Sequence, residues 1–294
     1  MNLPSRRAFL LRPLRRPSVL CLLALALTAP LQAAAPVVSV FSRAMNGYTR
    51  QLTPDGSFKP ESFTFAQGER LSGQLADPSI DEMPFLHVAQ AVSDAMRTQN
   101  YVPGVKPEET DLMIYVSWGT TTGSDNGRFT GGYDQLAAAM RAGQLISNQW
   151  GQLESQAQVD LFLTLNGVNN EARDRNNFVN ASILGYNHDL RDASFMKMYA
   201  TGFATDVISE VEEDRYFVVL RAFDMKTLVK EKKMKQLWET RFSIRQFGHR
   251  FDRALPAMSR YASRFYGQDI GRLVRQPMRS TDIRVGPVTE VGQD

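Results

Sequence analysis

The sequence predicts an α+β fold: a small, mostly antiparallel sheet of about four strands, helices packed on one face, and a mainly helical insertion. Three observations lead there. Residues 215–224 and 236–245 are rich in β-formers. In the second, Leu237, Glu239, Arg241, Ser243 and Arg245 alternate with Gln236, Trp238, Thr240, Phe242 and Ile244, the period of a strand with one covered face. Residues 85–97 and 255–266 instead space their apolar residues three and four apart, as helices with one buried stripe do. The third observation is a long interruption, about 119–214, whose patterning is largely helical and which separates one strand candidate from the next pair.

Taken in order, residues 1–35 read as an export signal. Arg6, Arg7, Arg12, Arg15 and Arg16 form a positive stretch without an acid, an apolar run covers 19–27, and Leu31-Gln32-Ala33-Ala34-Ala35 offers small residues to a peptidase. The run is shorter than the roughly 20 residues a spanning helix needs, so the mature chain is expected to lack a transmembrane helix and to work in the periplasm or elsewhere in the envelope. Ser5-Arg6-Arg7-Ala8-Phe9-Leu10-Leu11 resembles the twin-arginine export motif, although an arginine-rich general signal explains it equally well. Ser18-Val19-Leu20 before Cys21 lacks the small residue expected beside a lipidated cysteine, so a lipid anchor is not expected.

Residues 41–48 are a first strand candidate, and Pro54, Gly56 and Pro60 punctuate the loop after it. Ser62-Phe63-Thr64-Phe65-Ala66 reads as a short strand. Asp77-Pro78 and Asp81 lead into the helix marked by Phe85, Val88, Ala89, Val92, Ala95 and Met96. Tyr101-Val102-Pro103 ends it in a turn, and residues 111–118 form a central strand. Within the insertion, 135–150 and 196–211 read as helices, while 158–165 fits either state. A single domain over 36–275 and a polar tail over 276–294 complete the chain.

Charge is unevenly spread. The whole chain has 34 basic and 31 acidic residues, but five of the basic ones lie in residues 1–35, which leaves the exported part slightly acidic and gives no support to nucleic-acid binding. Residues 36–224 hold 14 basic and 24 acidic residues, and residues 225–279 hold 14 and 4. Lys230, Lys232, Lys233 and Lys235, with Arg253, Arg260 and Arg264 on a helix, are therefore the candidate anionic-partner patch. The alternative is that they pair internally with acids such as Glu210, Glu212 and Glu213.

Catalytic motifs are scarce. Cys21 is the only cysteine and falls in the signal, so the exported chain is expected to offer no thiol nucleophile, thiolate ligand or disulfide. His87, His188 and His249 lie far apart and in no metal-spaced pair; His87 reads as a partly buried helix residue, the other two as loop residues. No Gly-x-Ser-x-Gly elbow occurs. The glycine-rich 119–132 segment lacks a Gly-Lys-Ser/Thr ending, and Asp125-Asn126-Gly127 is not followed by calcium-loop spacing. Neither cofactor nor metal is expected.

A family resemblance rests on Ser62-Phe63-Thr64-Phe65, Tyr101-Val102, the segment from Asp111 to Val116, Phe217-Val218-Val219-Leu220, and Leu237-Trp238-Glu239-Thr240. Tyr101 after the first helix, Asp111 opening a strand and Trp238 in the last strand resemble the DUF4136-type, lipoprotein-like domain of bacterial envelope proteins. The insertion and the missing lipobox are departures from that pattern. The resemblance implies a non-enzymatic envelope role and supplies no catalytic residues.

Two functions are therefore expected to compete. The first is a binding or scaffold module that meets an envelope protein, a glycan or an anionic lipid surface through the basic patch. The second is a hydrolase of envelope polymers using paired carboxylates among Asp111, Asp160 and Asp224.

Overall fold

Strand-forming segments that are far apart in the chain come together in one seven-stranded mixed sheet, in the order β3-β2-β4-β5-β6-β1-β7. The structure is a computed structural model describing residues 36–73, 76–124, 171–196 and 202–278. Its strands are β1 (Val37–Ala44), β2 (Glu61–Leu71), β3 (Tyr101–Pro103), β4 (Leu112–Thr120), β5 (Arg215–Asp224), β6 (Gln236–Arg245) and β7 (Val274–Pro277). The helices are α1 (Pro78–Asp81), α2 (Phe85–Arg97), α3 (residues 171–184), α4 (Asn187–Met196), α5 (Gly202–Glu212), α6 (Met225–Glu231) and α7 (Phe251–Ala262). The expected signal at 1–35, the helix at 135–150, the segment 158–165 and the tail beyond 278 lie outside the described residues.

The expected small four-stranded antiparallel sheet is thus corrected to a larger, mixed one. β2 runs parallel to both β3 and β4, whereas β4–β5, β5–β6, β6–β1 and β1–β7 are antiparallel. Parallel neighbours need a crossover connection, and α2 supplies one between β2 and β3. Periodicity registers that helix but not the direction of the strand after it. β3 is only three residues long and contains Pro103, and β7 ends in Pro277; both are edge strands, where proline is tolerated. Their signals are too short to separate from a turn and a tail.

Helices line both faces of the sheet, the insertion packing opposite the two long helices. On the expected face, Val88, Val92 and Met96 of α2 and Phe251, Leu255 and Met258 of α7 meet Val38, Val40, Ile114, Val116, Val218, Leu220, Phe242 and Ile244 in the main core. On the other face Ala181, Leu184, Tyr186, Ala204, Val207 and Val211 of the 171–212 segment cover Phe217 and Val219. Tyr216 to Leu220 is accordingly buried without a break, the unalternating run of a strand covered on both sides.

That second interface is partly ionic. Arg215, 2% exposed, reaches Glu213 at 3.4 Å, Glu210 at 3.6 Å and Ser243 Oγ at 3.1 Å. Glu210 also accepts from Ser39 and Tyr186 and pairs with Arg275 at 2.8 Å, and Glu212 pairs with Arg173. The acids considered as internal partners for the lysine run are therefore engaged by arginines that fasten α5 to the sheet and to α3.

Candidate functional site

At the end of the sheet where β4 and β6 begin, a cavity of about 430 Å³ opens among Tyr48, Gln51, Lys59, Glu61, Asp111, Asp224, Lys226 and Lys235. Its floor follows from the strand starts. Glu61 opens β2 and Asp111 immediately precedes β4, while Asp224 closes β5 and caps α6 by accepting from Thr227 N–H at 2.9 Å. Two of the three carboxylates chosen from sequence, Asp111 and Asp224, therefore share this cavity; Asp160 lies outside the described residues.

Asp111 acts as a joint. One carboxylate oxygen accepts from Lys226 Nζ at 2.7 Å, and the other from Ser62 N–H and Oγ at 2.9 and 2.8 Å. Met225 N–H adds a bond to the Asp111 carbonyl, so β2, β4 and α6 meet at one residue. Burial works to raise its pKa, but the bonds from Lys226 and Ser62 outweigh burial and hold the group below the ordinary carboxylate range.

Glu61 behaves oppositely. Burial pushes its pKa up despite the Tyr48 hydroxyl at 2.7 Å and Arg50 at 3.5 Å, and the charge of Asp111 adds to the rise. Burial likewise raises the Tyr48 phenol. Arg50 is itself buried, its guanidinium carbon 3.7 Å from the Tyr101 ring centroid and 4.3 Å from that of Phe58. Tyr101 in turn lies 6.3 Å from Trp238, which stacks on Tyr266 at 5.9 Å. The residues that carried the family resemblance thus include two packing aromatics, Tyr101 and Trp238, and one strand joint, Asp111.

Sequence reasoning missed Tyr48, Arg50 and Glu61. Pro60-Glu61 marks a loop end before a strand, but nothing local says that Arg50 returns to that strand between two rings.

Lysines rim this end. Lys230 lies in the last turn of α6, and Lys232, Lys233 and Lys235 lie in the link to β6; all four are exposed. Lys233 pairs with Glu231 at 3.3 Å, whereas Lys230, Lys232 and Lys235 have no ion-pair partner among the described residues.

The arginines of the expected patch stand elsewhere. Arg253, in the first turn of α7, follows β6 while the lysines precede it, a separation of about 30 Å at the usual strand rise. Arg260 lines a groove between α2 and α7 with His87 and Asp94, and Arg264 lies over the Tyr261 ring at 5.4 Å.

The histidine expectations need two corrections. His87 is exposed rather than partly buried, because it lies on the outer side of α2, and His188 lies in the first turn of α4, pairing with Asp192 at 3.1 Å. His249 does lie in a loop. Among the described residues no group of three or more histidines and carboxylates gathers as a metal site, and no helix is long and apolar enough to cross a membrane.

No protein-family model matches the chain, and no curated protein matches it. Among solved structures it is similar to a PDZ domain protein from Parabacteroides distasonis at 10% identity and a TM-score of 0.33, over 82% of this chain and 39% of that one. The chain thus spans well under half of that protein's length. A likeness this loose carries no inference about activity.

Proposed function

We propose that the chain is an exported, non-enzymatic binding module of the cell envelope whose lysine-bearing end meets an anionic polysaccharide. The supporting observation is an asymmetry of pairing. Asp111 is held by Lys226 and Ser62, Glu61 by Tyr48 and Arg50, and Asp224 by the α6 backbone, while Lys230, Lys232 and Lys235 stay exposed without a carboxylate among the described residues. A polar cavity with engaged acids, Lys235 in its wall and Lys230 and Lys232 exposed on the adjoining helix and link, favours an acidic ligand rich in hydroxyls. The signal pattern of residues 1–35 and the envelope-domain resemblance supply the compartment in this reading.

Titration with dextran sulfate tests the reading. Changing Lys230, Lys232, Lys233 and Lys235 together to Gln should weaken binding about tenfold at low salt and flatten its salt dependence. Unchanged affinity in that variant would remove the basis for the reading.

One observation favours the hydrolase instead: Glu61, raised, and Asp111, lowered, share one cavity, as a general acid and its ionised partner do. Against it, both oxygens of Asp111 are already occupied. Cleavage of an envelope polymer that Glu61→Gln abolishes would decide for this second reading.

A further inference from the structure

The opposite end of the sheet carries a loop, residues 246–250, joining β6 to α7. Phe247 is 80% exposed, and its ring meets the Arg245 guanidinium carbon at 5.4 Å. The base of the loop is fixed. Gln246 N–H donates to the Asp214 carbonyl at 2.8 Å, His249 N–H donates to the Gln246 carbonyl at 2.9 Å, and Gln246 Nε2 donates to Asp77 at 2.9 Å. Gly248 takes a φ of +81°, which lets the chain turn behind the ring. A large apolar side chain is thus presented to solvent from a well-anchored turn.

Cations surround it. Residues 245–253 contain three arginines, one histidine and one carboxylate. Two of the arginines are themselves paired, each side chain staying more than half exposed (Arg245 54%, Arg250 57%). Asp252 pairs with Arg250 at 2.9 Å, Glu213 sits between Arg215 and Arg245, and Asp77 accepts from Tyr216, Ser79 and Gln246. Arg253 has no ion-pair partner among the described residues. Of the residues after Phe247, His249, Arg250 and Arg253 line a cavity of about 340 Å³ together with Met278. Leu86, 71% exposed, lies in the first turn of α2, which the Phe85–Trp118 stack places over this same end.

An exposed ring flanked by arginines suits the boundary between lipid headgroups and acyl chains, where the ring leaves water and the cations meet phosphate. We propose that this loop seats the protein on an anionic phospholipid bilayer, Phe247 entering the interface, the unpaired Arg253 meeting lipid phosphate and the exposed edges of Arg245 and Arg250 adding to the contact. The surface lies apart from the lysine-bearing end, so either proposal can fail without the other.

Co-sedimentation of the purified protein with phosphatidylglycerol-containing vesicles and with pure phosphatidylcholine vesicles, at low and high salt, is the test. The protein should bind the anionic vesicles at low salt and lose binding as salt rises. Phe247→Ser, and separately Arg245→Gln with Arg253→Gln, should each lower the partition coefficient about tenfold. Phe178→Ser, at another exposed phenylalanine, and the quadruple lysine variant should bind as the parent does. Phe247→Trp should show a blue-shifted emission increment on vesicle addition. Failure to bind anionic vesicles, equal binding to neutral ones, or full binding by Phe247→Ser would overturn the proposal. So would loss of binding in the lysine variant alone.

Discussion

Glu239 shows how a strand that alternates cleanly in sequence can still hide its partners. It accepts from Arg241 Nε at 2.6 Å and from Arg221 Nε at 3.0 Å, and Arg241 also donates to the Ser182 and Ile183 carbonyls at the end of α3. Alternation assigns these charges to an open face, but α3 packs against that face, so Glu239 is 7% exposed. Burial opposes its charge, yet the hydrogen bonds and charges of Arg241 and Arg221 prevail and lower its pKa. A carboxylate lowered in the folded state stabilises the fold above the unfolded value, about 4.3, and that contribution is lost as pH falls through the folded-state pKa. Glu239→Gln should therefore cost about 2–3 kcal/mol at neutral pH and show a shallower loss of stability in acid. Urea melts across the acid range check this; parallel pH profiles for parent and variant would contradict it.

At the scale of elements, how much could be read depended on how local the cause was. β5 and β6 were legible because each is a ten-residue run rich in β-formers, and α2 because its stripe repeats over three turns. The start of α7 was not: Phe251 N–H donates to Ser79 Oγ, 172 residues away, so the helix begins four residues before its apolar spacing suggests. The cavity at the strand starts was half legible. Asp111 opens a strand in sequence, whereas Arg50 and Glu61 meet only after β2 is placed between β3 and β4. The junction of β2 with β4 depends on Gly119, where a Cβ would collide with the Leu71 carbonyl and side chain. Gly119→Val should destabilise the fold by about 1–3 kcal/mol through forced separation of the two strands. Thermal melts with amide exchange on β2 and β4 read this directly; an unchanged melt with unchanged β2 protection would contradict it.

Across the whole sheet, the two strand ends differ in chemistry. One gathers exposed lysines around a polar cavity, and the other presents Phe247 among arginines, while the acidic side chains of 206–213 are engaged by Arg173, Arg215, Arg245 and Arg275 in the layer between. A binding module with these ends would hold an anionic polysaccharide at one and a bilayer at the other. Hydrogen–deuterium exchange with and without dextran sulfate tests the first and central claim most directly. The account predicts added protection within residues 46–61 and 225–237, with none at 245–253. Protection centred on 245–253 or on the α2–α7 groove, or no protection at saturating polysaccharide, would contradict it.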